Sequence, residues 1–64
     1  ALTREQASVL GLALLGHSNK LIAYELGISE ASVAMRLGRA GRKLGATSRV
    51  ALLRRVSELL GRER

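Results

Sequence analysis

Apolar residues recur every three or four positions through most of the chain, a spacing typical of amphipathic helices. The first such segment begins at Thr3. Gln6, three residues later, completes the pattern of a capping box, in which each side chain bonds the backbone of the other residue. Gly16 supplies a left-handed stop, so the pattern predicts a first helix over about residues 3–15. Its apolar positions are Ala7, Val9, Leu10, Ala13 and Leu14.

A second and a third helix are predicted on either side of Gly27. Ser18 or Asn19 can cap the second helix, and Ser29 can cap the third, with Glu30 in its first turn. Two helices joined by a glycine turn within roughly 25 residues predict a helix-turn-helix, whose second helix enters the major groove of DNA. The positions of the second helix that we expect to face inward are Leu21, Ile22, Ala23 and Leu26.

The third helix has an apolar side and a cationic side. Because successive residues turn by about 100°, its apolar residues fall within one narrow arc, and Met35, Arg39 and Arg42 lie opposite them. Arg36 and Lys43 extend the cationic side. The pattern therefore predicts that one side packs on a core and the other contacts an acidic partner. The apolar residues are Val33, Leu37, Ala40 and Leu44.

A fourth helix is predicted after Gly45, capped by Thr47 or Ser48 and running to about Leu60. It carries more apolar residues than one stripe against three short helices requires. The surplus predicts a second contact surface, through which two copies form a homodimer. The predicted dimerisation residues are Val50, Leu53, Val56 and Leu60.

Composition supports one all-α domain over residues 1–64. The chain has no cysteine, and Tyr24 is its only aromatic residue, so its core must be aliphatic and cannot be reinforced by a disulfide or a thiolate zinc site. His17 has no second histidine or cysteine to complete a metal site. We therefore predict no metal and no cofactor. The sequence also lacks a carboxylate pair, a nucleophile triad and a cofactor loop, which argues against an enzyme.

The formal net charge of +6 is unevenly distributed. Seven of the eleven lysines and arginines lie between Glu30 and Glu58, an interval without an acidic residue. Such a segment suits a phosphate backbone or an anionic membrane surface. No apolar run approaches the roughly 20 residues that a membrane span requires, and there is no signal-peptide pattern, so we expect a cytoplasmic protein that binds DNA and no membrane.

Six short motifs together cover nearly the whole chain: Leu2-Thr3, Ser18-Asn19-Lys20, Leu26-Gly27-Ile28-Ser29, Ser32-Val33, Arg42-Lys43-Leu44-Gly45 and Ser48-Arg49. At these spacings they resemble the LuxR/GerE family of bacterial DNA-binding domains. The resemblance implies a four-helix LuxR-type helix-turn-helix domain. Such a domain usually follows a receiver or ligand-sensing domain, as in response regulators, and binds promoter DNA as a dimer through its fourth helix. We accordingly expect the C-terminal part of a longer regulator, an expectation that also fits the absence of a methionine before Ala1.

The third helix departs from the family pattern. Where the family usually has lysine, a variable residue and histidine, this chain has Ala34, Met35 and Arg36, and Gly38 replaces a position that is often polar or basic. Base contacts at 34 and 38 therefore cannot be carried over as hydrogen bonds, although Met35 can touch a thymine methyl group. The predicted DNA-binding residues are Ser18, Asn19, Lys20, Ser29, Ser32, Ala34, Met35, Arg36, Arg39, Arg42 and Lys43.

Two alternatives stay open from the sequence. The stretch from Met35 to Leu44 is also similar to the recognition helix of promoter-binding domains in sigma factors, which would add RNA polymerase as a partner. That similarity fades after Leu44. A degenerate helix-turn-helix that binds protein in place of DNA is the other alternative.

Overall fold

The structure is a computed structural model that describes residues 2–61, apart from the side chain of Leu60. This part of the chain is all-α, as predicted, and contains no strand. Its helices are α1 (Arg4–Leu14), α2 (Asn19–Leu26), α3 (Glu30–Leu44) and α4 (Arg49–Gly61).

Local hydrogen bonds begin each helix where the sequence predicts. Thr3 and Gln6 form the complete capping box of α1, with both bonds at 3.1 Å. Ser18 caps α2, and Ser29 caps α3 by accepting the backbone N–H of Ser32 at 3.0 Å. At α4 the cap is Ser48, whose hydroxyl accepts the N–H of the residue three positions later at 3.1 Å.

Two glycines close α2 and α3 in the left-handed conformation that side chains rarely adopt. Gly27 has φ of 67° and Gly45 has φ of 73°. After each glycine, the next residue turns back over the helix end. Ile28 donates its N–H to the Ala23 carbonyl at 3.0 Å, and Ala46 donates to the Gly41 carbonyl at 2.8 Å. Both residues also pack against the core, so these turns fix how successive helices meet.

The core is aliphatic and lies where α1, α2 and α3 meet, with α4 closing it from the side of α3. Ile22, Val9 and Val33 are its largest fully buried side chains. The prediction for α2 was wrong in part, because Leu21 and Leu26 remain 41% and 37% exposed. A helix of two turns packed on one side has room for few fully buried positions, and Ile22 and Ala23 occupy them.

No helix within residues 2–61 is both long enough and apolar enough to span a bilayer.

Candidate nucleic-acid interface

The outward side of α3 is exposed along its length. Val33, Leu37 and Ala40 are buried on the opposite side. Arg39 and Arg42 are exposed, and Met35 is 49% exposed. The amphipathic division predicted for this helix is therefore confirmed: the core holds one side, and the other is open to a partner.

One flank of α3 faces α1. The Lys43 ammonium donates to Oε1 of Gln6 at 2.9 Å, the same oxygen that accepts the Thr3 N–H in the α1 capping box. Arg36 lies two turns before Lys43, hence on the same flank, and is half-buried. These two cations therefore lie on the side of α3 toward α1, whereas Arg39 and Arg42 are exposed and make no hydrogen bond or ion pair within residues 2–61.

The other flank of α3 borders an open groove of about 600 Å³. Ala34, Gly38 and Arg42 line the groove from α3, while Asn19 and Ser48 line it from the starts of α2 and α4. The small residues at 34 and 38 leave this groove wide. A Cβ atom placed on Gly38 would meet nothing within 4 Å. The flank that carries basic residues in the resembled family is therefore an empty, largely apolar surface here.

Of the predicted contacts at the start of α2, Asn19 lines the same groove. Ser18 and Lys20 are exposed, and Asn19 is half-buried. The Asn19 amide oxygen accepts a hydrogen bond from the Arg49 guanidinium. Because a guanidinium can only donate, the NH₂ group of Asn19 is the part of the amide left for a phosphate oxygen.

Two more predicted contacts, Ser29 and Ser32, lie at the start of α3. The Ser29 hydroxyl donates to the Ser32 hydroxyl at 3.0 Å and accepts the Ser32 N–H. Ser29 is the N-cap of α3 and Ser32 lies in its first turn, where the partial positive charge of the helix dipole favours an anion.

After Glu30 in its first turn, α3 carries only positive charges. Among residues 2–61, no carboxylate lies within ion-pair distance of Arg36, Arg39 or Arg42. The acid-free interval from Glu30 to Glu58 continues through the loop into α4. These guanidinium groups are therefore available to an anion from outside the domain.

Sequence reasoning gave Arg49 no structural role. Its guanidinium donates to the Asn19 side chain and, at 2.6 Å, to the His17 carbonyl, so it ties the first residue of α4 to the turn between α1 and α2. The partners lie 30 and 32 residues away in the chain. No local pattern reveals such a contact; the only signal was the Ser48-Arg49 motif.

We expect Arg49→Ala to lower the free energy of unfolding by about 1–2 kcal/mol. The change removes two hydrogen bonds that a charged, partly buried group donates, and the Asn19 and His17 oxygens lose this donor. Urea unfolding followed by circular dichroism measures the effect. Arg54→Ala is the matched control, since Arg54 is an exposed residue of the same helix. Equal stability of the two variants would show that the Arg49 contacts contribute nothing.

The predicted dimerisation residues differ in exposure. Val50 is 67% exposed, whereas Leu53 and Val56 are half-buried and pack partly against the domain's own core. Leu60 was also predicted, but its side chain lies outside the described part of the chain. The face of α4 that holds Val50 therefore remains open in the isolated chain.

Comparison with known proteins identifies the family. Residues 1–56 match GerE, the bacterial regulatory proteins of the luxR family. No curated protein and no solved structure gave a match. The matched region contains all of α1, α2 and α3 and more than half of α4. This all-α helix-turn-helix chain therefore belongs to the LuxR family of bacterial regulatory proteins, whose domains of this kind bind DNA in transcription regulation.

Proposed function

We propose that the domain binds double-stranded promoter DNA with α3 in the major groove. The observation that carries the proposal is the exposed pair Arg39 and Arg42, on the second helix of a helix-turn-helix and without a carboxylate partner among residues 2–61. Arg36 and Lys43 extend this cationic surface toward α1. A domain with this function works in the bacterial cytoplasm.

Phosphate contacts from the starts of α2 and α3 complete the proposed binding mode. Lys20 supplies a charge and Asn19 an NH₂ group at the start of α2, where the first helix of this motif crosses the DNA backbone. Ser29 and Ser32 supply hydroxyl groups at the start of α3. These contacts set the position of the duplex without reading its sequence.

Sequence discrimination by the single domain is proposed to be weak. Ala34 and Gly38 face the groove, but their side chains can form no hydrogen bond with a base edge. Affinity thus depends mainly on phosphates, which every duplex shares.

The proposal includes a homodimer formed through α4. Val50 offers an exposed apolar side chain there, and two-fold symmetry would place two copies of α3 on successive turns of the duplex. Sedimentation velocity of the domain with and without DNA tests this association. The sigma-type alternative, with RNA polymerase as its partner, has less support because the family match continues past Leu44 into α4.

Arg39→Ala tests the position of α3. We expect about tenfold weaker binding at moderate salt and a salt dependence shallower by about one unit of slope, because one cationic contact with DNA is lost. The stability of the domain should not change, since Arg39 is exposed. Fluorescence anisotropy with a labelled duplex measures affinity, and urea unfolding measures stability.

Arg54→Ala again provides the comparison, because it removes the same charge from α4. Its effect on DNA affinity should stay below about twofold, as expected for a screened charge at a distance. If Arg39→Ala binds DNA as tightly as the parent, or with the same affinity as Arg54→Ala, α3 does not lie in the major groove. A domain that self-associates but binds no duplex even at low salt would instead be a protein-interaction module.

A further inference from the structure

The centre of the surface that α3 offers to DNA is apolar. Met35 is 49% exposed, and Ala34 and Gly38 beside it are exposed as well. All three line the groove of about 600 Å³ between α3 and the start of α4. Cationic residues, Arg39 and Arg42, border this patch. The three positions therefore meet a base edge through van der Waals contact only.

Base pairs differ in what they offer to such a patch. In the major groove, guanine, cytosine and adenine present hydrogen-bonding atoms, whereas thymine also presents a 5-methyl group. A methionine side chain is flexible and polarizable and fits irregular apolar surfaces. An apolar patch bordered by guanidinium groups thus matches a duplex whose methyl groups lie between two rows of phosphates.

The residues beside Met35 allow close approach. Gly38 has no side chain, and the space that its Cβ would occupy is empty within 4 Å. Ala34 adds only a methyl group. A base edge can therefore come near the backbone of α3 on this flank, next to the half-exposed Met35 side chain.

We infer that Met35, with Ala34 and Gly38 beside it, recognises the 5-methyl groups of thymine in the major groove. This inference rests on the proposed function, because it requires α3 to lie in that groove. Recognition of the methyl groups gives the domain a preference for thymine-containing steps. This preference replaces the hydrogen bonds to base edges that the side chains at positions 34 and 38 cannot form. Each methyl group buried in this way is expected to change affinity by about fourfold.

Uracil tests the inference because it differs from thymine only by the missing methyl group. An alternating dA–dT duplex and the same duplex with dU in place of dT are titrated with the domain at one salt concentration. We expect the dA–dT duplex to bind at least fourfold more tightly. Equal affinity of the two duplexes overturns the inference.

Variants of Met35 separate direct recognition from an effect of uracil on duplex flexibility. Met35→Gln should reduce the ratio of dT to dU affinity to about one, while Met35→Leu, which keeps an apolar side chain of similar volume, should retain it. Leu15→Gln is the matched control, since Leu15 is 73% exposed at the end of α1, and it should leave the ratio unchanged. A ratio that persists in Met35→Gln assigns the preference to the duplex and overturns the role of Met35.

The experiment distinguishes failure of the proposed DNA-binding function from failure of the thymine-methyl recognition. If the domain binds neither duplex at low salt, the proposed DNA-binding function fails and the inference with it. If it binds both duplexes equally and releases both steeply with salt, the function stands and the methyl recognition alone is wrong. Far-ultraviolet circular dichroism of each variant shows that it has the helical content of the parent.

Discussion

Raising the monovalent salt concentration from 50 to 200 mM is expected to weaken duplex binding by roughly 500-fold. In a plot of the logarithm of affinity against the logarithm of salt concentration, each phosphate neutralised by a lysine or arginine adds about −0.9 to the slope. Five such contacts give a slope of about −4.5. The proposed contacts come from Lys20, Arg36, Arg39, Arg42 and Lys43.

Anisotropy titrations at four or five salt concentrations measure this slope directly. Circular dichroism at the same salt concentrations checks that the helical content of the domain does not change. The geometry also ranks these residues: Arg39 and Arg42 are exposed and make no hydrogen bond or ion pair within residues 2–61, whereas Lys43 already donates to Gln6 and Arg36 is half-buried. Removing Arg39 should therefore reduce the slope by about 0.9, while Lys43→Ala should reduce it by less. A slope shallower than about −2 would contradict binding through this surface.

Gly41→Ala is expected to destabilise the domain, whereas Gly38→Ala in the same helix should stabilise it. Helix propensity alone favours alanine by roughly 0.8–1 kcal/mol at both positions. The surroundings differ. A Cβ on Gly38 meets nothing within 4 Å, but a Cβ on Gly41 would lie 2.8 Å from the backbone carbonyl oxygen of Ala46. That oxygen belongs to the loop that leads into α4 and cannot move without shifting the turn.

We expect Gly38→Ala to raise the free energy of unfolding by about 0.5–1 kcal/mol and Gly41→Ala to lower it by about 1–3 kcal/mol, the usual cost of overpacking. Urea unfolding of both variants beside the parent measures the difference, and equal m-values show that the unfolding transitions can be compared. A Gly41→Ala variant as stable as the parent would mean that the turn adjusts freely and that Gly41 is not required for close packing.

The role of Gly41 shows a limit of sequence reasoning. From the sequence, Gly38 and Gly41 are both glycines in the interior of the third helix, and each costs helix stability relative to alanine. In the structure Gly38 lines the open groove beside α3, and Gly41 lets the turn after α3 fold back closely, with the Ala46 N–H bonded to the Gly41 carbonyl at 2.8 Å. The packing partner of a helical glycine depends on the next element, which a periodic pattern does not describe.

The sequence by itself determined the four helices, the position of each N-cap to within one residue, and the division of α3 into a buried and a cationic side. Ser18, Ser29 and Gly27 act on backbone groups three to five residues away, so these signals lie within one short stretch of chain. The family motifs are likewise local, and the family match agrees with them.

Only the tertiary structure decided which cations stand free and which are engaged. Lys43 meets Gln6 across 37 residues, and Arg49 meets Asn19 across 30. It also decided that Leu21 remains partly exposed while its neighbour Ile22 is fully buried. The physical reason is common to all three: such contacts depend on how helices distant in sequence are placed against one another, whereas caps and periodicity depend on the backbone within a turn or two.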